Sequence, residues 1–347
     1  MAAALAAALA LWLLSLTPAG QLAEAKAFDL FTTLAAPRSS AAPIVIVAVD
    51  EPSFQELRLQ WPFPRSLHAR LLERLQADGA AAVGFDVVFA EPTTPAEDRA
   101  FARAIAASRA VVLASLREML DGANATMWTE VQPLPELLAA GALAGDIGVQ
   151  PDADYVVRRR PEGGETMAAQ LARQVGGPGA GARGGLIEYL GPRGTIDTRS
   201  YYQAVSPGLL PPGFFRGKIV LVGRTSRSAA ELRQATADMF NSPFVLGEQD
   251  DSAFPGVEIQ ATLLANRLQG GGLQAVAPQW RLALVLTLAA LLALASAALH
   301  PALAAAITVA GAAAVVVLSW SLFAAARWWL PPVGAVAALV AAAATGL

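Results

Sequence analysis

The chain has 347 residues, 55% of them hydrophobic and 15% charged, with a formal net charge of −3 and no cysteine. Soluble domains carry about a quarter charged residues, so the composition argues against an ordinary water-soluble protein. The near-neutral balance offers no basic face for nucleic acid, and the lack of cysteine excludes disulfides, thiolate zinc sites and a thiol nucleophile. Of the 25 Lys and Arg and 28 Asp and Glu, all but Arg327 lie between Glu24 and Arg281. A polar stretch of about 250 residues, enough to bury a core as one large domain, is therefore bracketed by apolar ends.

Residues 2–16 are apolar and alanine-rich, and Ala23-Glu24-Ala25 has the pattern of a signal-peptidase site. No Lys or Arg precedes it, so an uncleaved transmembrane helix over residues 1–20 is favoured over a cleaved signal. Either reading puts the polar domain across the membrane from the cytoplasm. Residues 44–49 (IVIVAV) form a β-branched run ending at Asp50, the mark of a strand buried on both faces. Residues 65–78 place Leu67, Leu71, Leu72 and Leu75 on one helical face. Gly79 stops that helix, and residues 82–88 follow as a second buried strand carrying Asp86. A helix over 95–108 and a strand over 110–116 complete an alternation that predicts a parallel sheet with right-handed crossovers.

Further on, residues 153–160 read as a strand, 165–175 as a helix, 176–185 as a glycine-rich loop and 186–190 as a short strand. Residues 218–222 (KIVLV), closed by Gly223, form another buried strand, and a helix over 257–268 leads through Gly270-Gly271-Gly272 towards the lipid. Residues 282–299 then run without a charge, close to the about 20 apolar residues that span a bilayer. His300-Pro301 breaks the run. Residues 302–326 form a second uncharged stretch, ended by Arg327-Trp328-Trp329, which suits a membrane–water interface, and residues 333–347 form a third. Three transmembrane helices are expected over 280–347, returning the C-terminus to the cytoplasm.

Ligands of open α/β sheets bind beyond the carboxyl ends of the strands. Asp50 and Asp86 stand there, and if their strands are neighbours, two carboxylates and the Gly223 turn converge on one crevice. Such a pair can hold a divalent cation, act as an acid/base couple or bind an arginine, for which Arg65 is a candidate counter-ion. The alternative is structural: Asp50 caps the turn Asp50-Glu51-Pro52-Ser53, and Asp86 pairs with an arginine. His68, the only histidine of the polar domain, reads more simply as a core residue. No G-x-S-x-G elbow or phosphate-binding glycine motif follows a strand. The triple Arg158-Arg159-Arg160 reads as a solvated strand edge.

The run from Ile44 to Ser53, Trp61-Pro62-Phe63-Pro64-Arg65, Gly84-Phe85-Asp86-Val87-Val88-Phe89-Ala90-Glu91-Pro92 and Asp98 together resemble the type-two CHASE domain, an extracytoplasmic sensory domain associated with cyclases and histidine kinases. Tyr189-Leu190-Gly191-Pro192, the strand closed by Gly223, Asp238-Met239-Phe240-Asn241-Ser242-Pro243 and Pro255-Gly256-Val257-Glu258-Ile259-Gln260-Ala261 fit its later blocks in order. Phe63 stands where the family often has Trp, and Gln260 where it often has His. The resemblance implies an α/β sensory domain over residues 27–272 that binds a small ligand or ion through Asp50, Arg65, Asp86, Gly223 and Asp238. Asp50 and Asp86 would be the metal ligands if a divalent cation is bound.

It further implies a multi-pass inner-membrane receptor, with its sensory domain periplasmic or extracellular and a homodimer as the expected assembly. The signal would pass to a cyclase or kinase supplied in cis or trans, since residues 1–347 contain no such domain. A membrane-anchored, metal-dependent hydrolase and a structural membrane subunit that binds a partner protein are the competing readings. For the latter, the Arg158–Arg160 edge and the stretch 118–135 would serve as the surface.

Overall fold

A computed structural model describes residues 2–121, 126–161, 165–177, 185–226, 239–244 and 253–346. Two helices open the chain, α1 (Ala2–Ser15) and α2 (Pro18–Ala35), bent by 75° at the break between them. The break has a local cause: Thr17 is extended, caps α2 by accepting from the Gly20 amide, and is followed by a proline at the first helical position.

The α/β domain follows as β1 (Ile44–Val49), α3 (Glu51–Leu57), α4 (Arg65–Ala77), β2 (Ala82–Val88), α5 (Pro95–Ala106), β3 (Val111–Asp121) and β4 (Thr126–Val131). It continues through α6 (Pro135–Ala139), β5 (Leu143–Asp146), α7 (Met167–Gln174), β6 (Thr198–Ser200), α8 (Tyr201–Val205) and β7 (Ile219–Arg224). Its last elements are β8 (Met239–Asn241), β9 (Ala253–Pro255) and α9 (Gly256–Leu268). The membrane-facing part comprises β10 (Gln274–Ala275), α10 (Pro278–Ala298), α11 (Pro301–Ser321) with a π-helical turn (Leu322–Ala326), β11 (Trp328–Trp329) and α12 (Pro332–Gly346).

The main sheet has the order β4-β3-β2-β7-β1-β6, with β5 also on β3, and every pair is parallel except β3–β4. The mainly parallel α/β fold expected from the strand–helix alternation is thus present. Alternation explains why β1 is apolar throughout. Val45, Val47 and Val49 face a core with Leu67, Leu71, Leu72 and Leu75 of α4 and Phe101 of α5, whereas Ile44, Ile46 and Ala48 face a second core with α7 and α9.

Two expected strands do not form. Residues 153–160 and 186–190 contribute only isolated pairings, Arg159 with Leu186 and Leu186 with Leu273. Asp152 and Tyr155 close a turn there, with Tyr155 left-handed at φ 61°, and the Arg158 side chain turns inward. Conversely, β3 runs on to Asp121 and returns as β4 where a long loop was expected. The glycine-rich stretch lies largely outside the described residues, at 178–184.

Of the apolar segments, two helical stretches are long and apolar enough to cross a membrane, Pro278–Ala295 and Pro301–Ala326. The bent α1–α2 pair would make a third, and Pro332–Ala344 is a shorter apolar helix. The bundle is held by small residues: Ala8 of α1 meets Ala335, Ala338 and Ala342 of α12 in one buried cluster with Val285, Ala289 and Leu292 of α10. Without a hydrophobic gradient in lipid, such seams rely on close backbone approach. At Gly334 a Cβ would come within 2.8 Å of the Ser15 Cβ.

Candidate functional site

Strand β7 separates the two strands that carry the aspartates: Gly223 sits in register with Ala48 of β1 on one side and with Asp86 of β2 on the other. The helices that follow β1 and β2 pack on the α4/α5 face of the sheet, whereas α9, the first helix described after β7, packs on the other. This divergence at the carboxyl ends is the place where doubly wound sheets open a ligand crevice. Asp86 borders two adjoining cavities there, of about 750 and 930 Å³. The first is walled by Trp61, Arg65, Phe89 and Arg224, the guanidinium of Arg224 lying 5.6 Å from the Trp61 ring centre. The second is walled by Arg117, Glu130, Asp146 and the α9 residues Gly256 and Gln260.

Asp50 does not border either cavity. It is the N-cap of α3: its Oδ1 accepts from the Ser53 amide (3.0 Å) and hydroxyl (2.5 Å), and its Oδ2 accepts from the Ser200 hydroxyl (2.5 Å). With both oxygens so occupied, Asp50 joins α3 to α8. Arg65 lines the first cavity, but its counter-ion is Asp98, with Nε 3.4 Å from Oδ1, and its Nη2 donates to the Glu91 carbonyl at 2.8 Å. Burial works against the Asp98 charge, yet hydrogen bonds from the Thr93 hydroxyl and amide, and then Arg65, hold its carboxyl below the ordinary range.

Gly223 lies within β7 rather than in a turn. A Cβ there would sit 2.7 Å from the Val257 Cβ and 3.2 Å from the Asp86 Cβ, so glycine is what lets α9 press onto the sheet. Asp238 lies outside the described residues. Among the described residues no three His, Asp or Glu side chains come together as a metal site would need, and Asp50 and Asp86 do not meet. His68 is buried, with Nδ1 3.0 Å from the Tyr201 hydroxyl; burial first, and Arg65 second, lower its pKa to about 3. It is neutral at physiological pH and belongs to the aromatic core around Phe85, Phe89 and Phe101.

A second constellation, not foreseen from the sequence, joins the domain to α2. Arg158 is buried and grips Asp29 in a fork, Nε to Oδ1 at 2.8 Å and Nη2 to Oδ2 at 2.7 Å. It also donates to Asp152 (2.8 Å) and to both oxygens of Asp154 (2.8 and 2.7 Å). Lys26 adds a bridge to Asp154 at 2.7 Å. The Arg158 hydrogen bonds, against some cost of burial, hold the Asp154 carboxyl well below the usual range. The solvated-edge reading of Arg158–Arg160 is therefore corrected: Arg158 is the buried hub of the junction, while Arg159 is exposed. The available signal was Asp29, an acid alone within the apolar run Ala27–Leu34 of a helix that has to be matched by a buried cation.

The junction continues as an aromatic collar. Phe28 and Phe31 of α2 meet Trp320, Phe323 and Trp329 edge to face with ring centres 5.3–5.7 Å apart, and Leu186 and Leu273 of the domain join the same cluster. The glycine linker is not slack. Gly271 donates to the Asn266 carbonyl, a Cβ at Gly272 would lie 2.7 Å from the Leu186 oxygen, and β10 pairs with β11 between α11 and α12.

The molecule is thus a crevice-bearing α/β domain clamped onto apolar helices, two of them long and apolar enough to cross a membrane. The chain belongs to the CHASE2 domain family, whose model matches residues 3–295, from α1 through the domain into α10. CHASE2 is an extracytoplasmic sensory domain, so the α/β unit has a sensory role outside the cytoplasm. No curated protein and no solved structure matches the chain.

Proposed function

We propose that this chain is the sensory module of a transmembrane receptor whose small polar ligand occupies the crevice beyond β2 and β7, with Asp86 as its central contact. The observation that carries this reading is the position of α9. Its first turn lines the crevice through Gly256 and Gln260, and its end leads directly into β10 and α10. Gln260 is buried, its amide donating to the Ile147 carbonyl at 2.9 Å, while its Oε1 has no hydrogen-bond partner among the described residues. A ligand that donates to Gln260 and Asp86 would bear on the helix that leads through β10 into α10. It shifts the output only by binding two arrangements of that helix unequally.

The membrane path in this proposal has four crossings, α1 and then α10, α11 and α12, with both termini in the cytoplasm and a cyclase or kinase acting in cis or trans. The β10–β11 pairing and the Arg327–Glu188 ion pair (3.2 Å) support this topology, because they hold the end of α11 beside the domain that α10 leaves. Packing of α1 against α10 and α12 favours its retention as a helix of the bundle.

The test is a thermal-shift screen of the purified full chain against small organic acids, amines and amino acids, repeated on variants. A stabilising compound is expected to lose its effect in Asp86→Ala and keep it in Asp50→Ala. Its binding should also slow hydrogen exchange in α9 and β10. An effect that survives Asp86→Ala combined with Gln260→Ala would remove the crevice from the proposal.

A further inference from the structure

Below the sensory domain, a cavity of about 400 Å³ opens between the α1–α2 bend, the first turn of α10 and the start of α12. Its charges are unequally committed. Glu24 gives one oxygen to the Gly334 amide (2.7 Å) and the other to the Val333 amide (3.2 Å), so it caps α12. Asp152 and Asp154 are held by Arg158. Two guanidiniums are left over. Arg281 has its Nε buried without a hydrogen-bond partner among the described residues, and the charges acting on it are Glu24, already capping α12, and the second cation, Arg159. Two arginines without a side-chain hydrogen bond among the described residues, one of them with a buried donor, suit an anion with several acceptor oxygens.

The remaining wall is apolar, with Trp12, Leu16, Leu284 and Trp329. Anion-binding donors at one side of the cavity and this apolar wall at the other match one molecule. We infer that this cavity is a site for an anionic membrane phospholipid, its phosphate between Arg281 and Arg159 and the start of one acyl chain against Trp12, Leu16 and Leu284. The site adjoins the Asp29–Arg158 junction, so an occupied cavity braces α2, α10 and α12 against one another. This inference is independent of the crevice ligand.

The test uses the full chain in mild detergent, titrated with phosphatidylglycerol, phosphatidylcholine and inorganic phosphate, with bound lipid read by native mass spectrometry. Phosphatidylglycerol is expected to bind at least about tenfold more tightly than phosphatidylcholine, and Arg159→Gln combined with Arg281→Gln to abolish that preference. Should the double variant fail to fold, Arg159→Gln alone, at an exposed position, is expected to weaken phosphatidylglycerol by about threefold. Equal binding of the two lipids, or an unchanged preference in a folded arginine variant, overturns the site. Binding of inorganic phosphate at these arginines with no preference for phosphatidylglycerol also overturns it, because the occupant would then be a free anion.

Discussion

Removing the Asp29 carboxylate, by Asp29→Ala, is the sharpest perturbation of the junction between the sensory domain and the membrane helices. Asp29 is fully buried and accepts two of the five hydrogen bonds that Arg158 donates to carboxylates. Losing one partner of a buried ion pair costs about 3–5 kcal/mol when the other charge is stranded. Here Asp152 and Asp154 remain on Arg158, which puts the expected loss at the low end, about 3 kcal/mol. Asp29→Leu combined with Arg158→Met leaves no stranded charge and should recover most of that loss, since apolar replacement of a buried pair is often neutral.

The assay is equilibrium unfolding of the full chain in mild detergent, run as a double-mutant cycle. The Asp154 carboxyl has its pKa depressed in the folded state, so its contribution is complete above its unfolded value and declines only as pH falls through the lower folded one. The contribution of Asp154 should therefore be the same at pH 6 and pH 8. A loss below about 0.5 kcal/mol for Asp29→Ala, or strict additivity of Asp29→Leu and Arg158→Met, would refute the claim that this pair fastens α2 to the domain.

Other outcomes follow from the same geometry. Gly223→Ala forces a Cβ to 2.7 Å from the Cβ and 2.8 Å from the Cγ2 of Val257 and should destabilise by about 1–3 kcal/mol through overpacking, an effect that the companion change Val257→Ala, by removing Cγ2, partly relieves in thermal unfolding. Asp50→Ala should cost about 1 kcal/mol, the worth of a helix cap, and leave ligand-induced stabilisation intact. His68 must fold uncharged, with its pKa near 3 against about 6.5 when unfolded. Its contribution is complete above about pH 6.5 and is lost on acidification at up to about 1.4 kcal/mol per pH unit, so His68→Phe should flatten stability between pH 6.5 and 3.

Much of the architecture was legible in one dimension because burial leaves a periodic trace. The runs at 44–49, 82–85 and 219–222 carry no polar side chain because helices cover both faces of the sheet, and the leucines of α4 recur at the helical interval because only one face is covered. The two long apolar helices declare themselves by charge-free runs, residues 282–298 of α10 and 301–321 of α11. Strand order leaves no such trace. That β7 inserts between β1 and β2 decides that Asp50 and Asp86 stay apart, and no local pattern encodes which parallel strands become neighbours.

The same holds for side-chain direction: Arg158, Arg159 and Arg160 are identical in sequence, yet only Arg158 faces Asp29, which lies 129 residues away. Composition and periodicity determined that this chain is an α/β domain carried on helices long and apolar enough to cross a membrane. Tertiary structure decided which carboxylate meets the crevice, which one caps a helix and which one ties the domain to the membrane. Those assignments depend on distances between segments far apart in the chain, and close packing fixes such distances only once the whole core has formed.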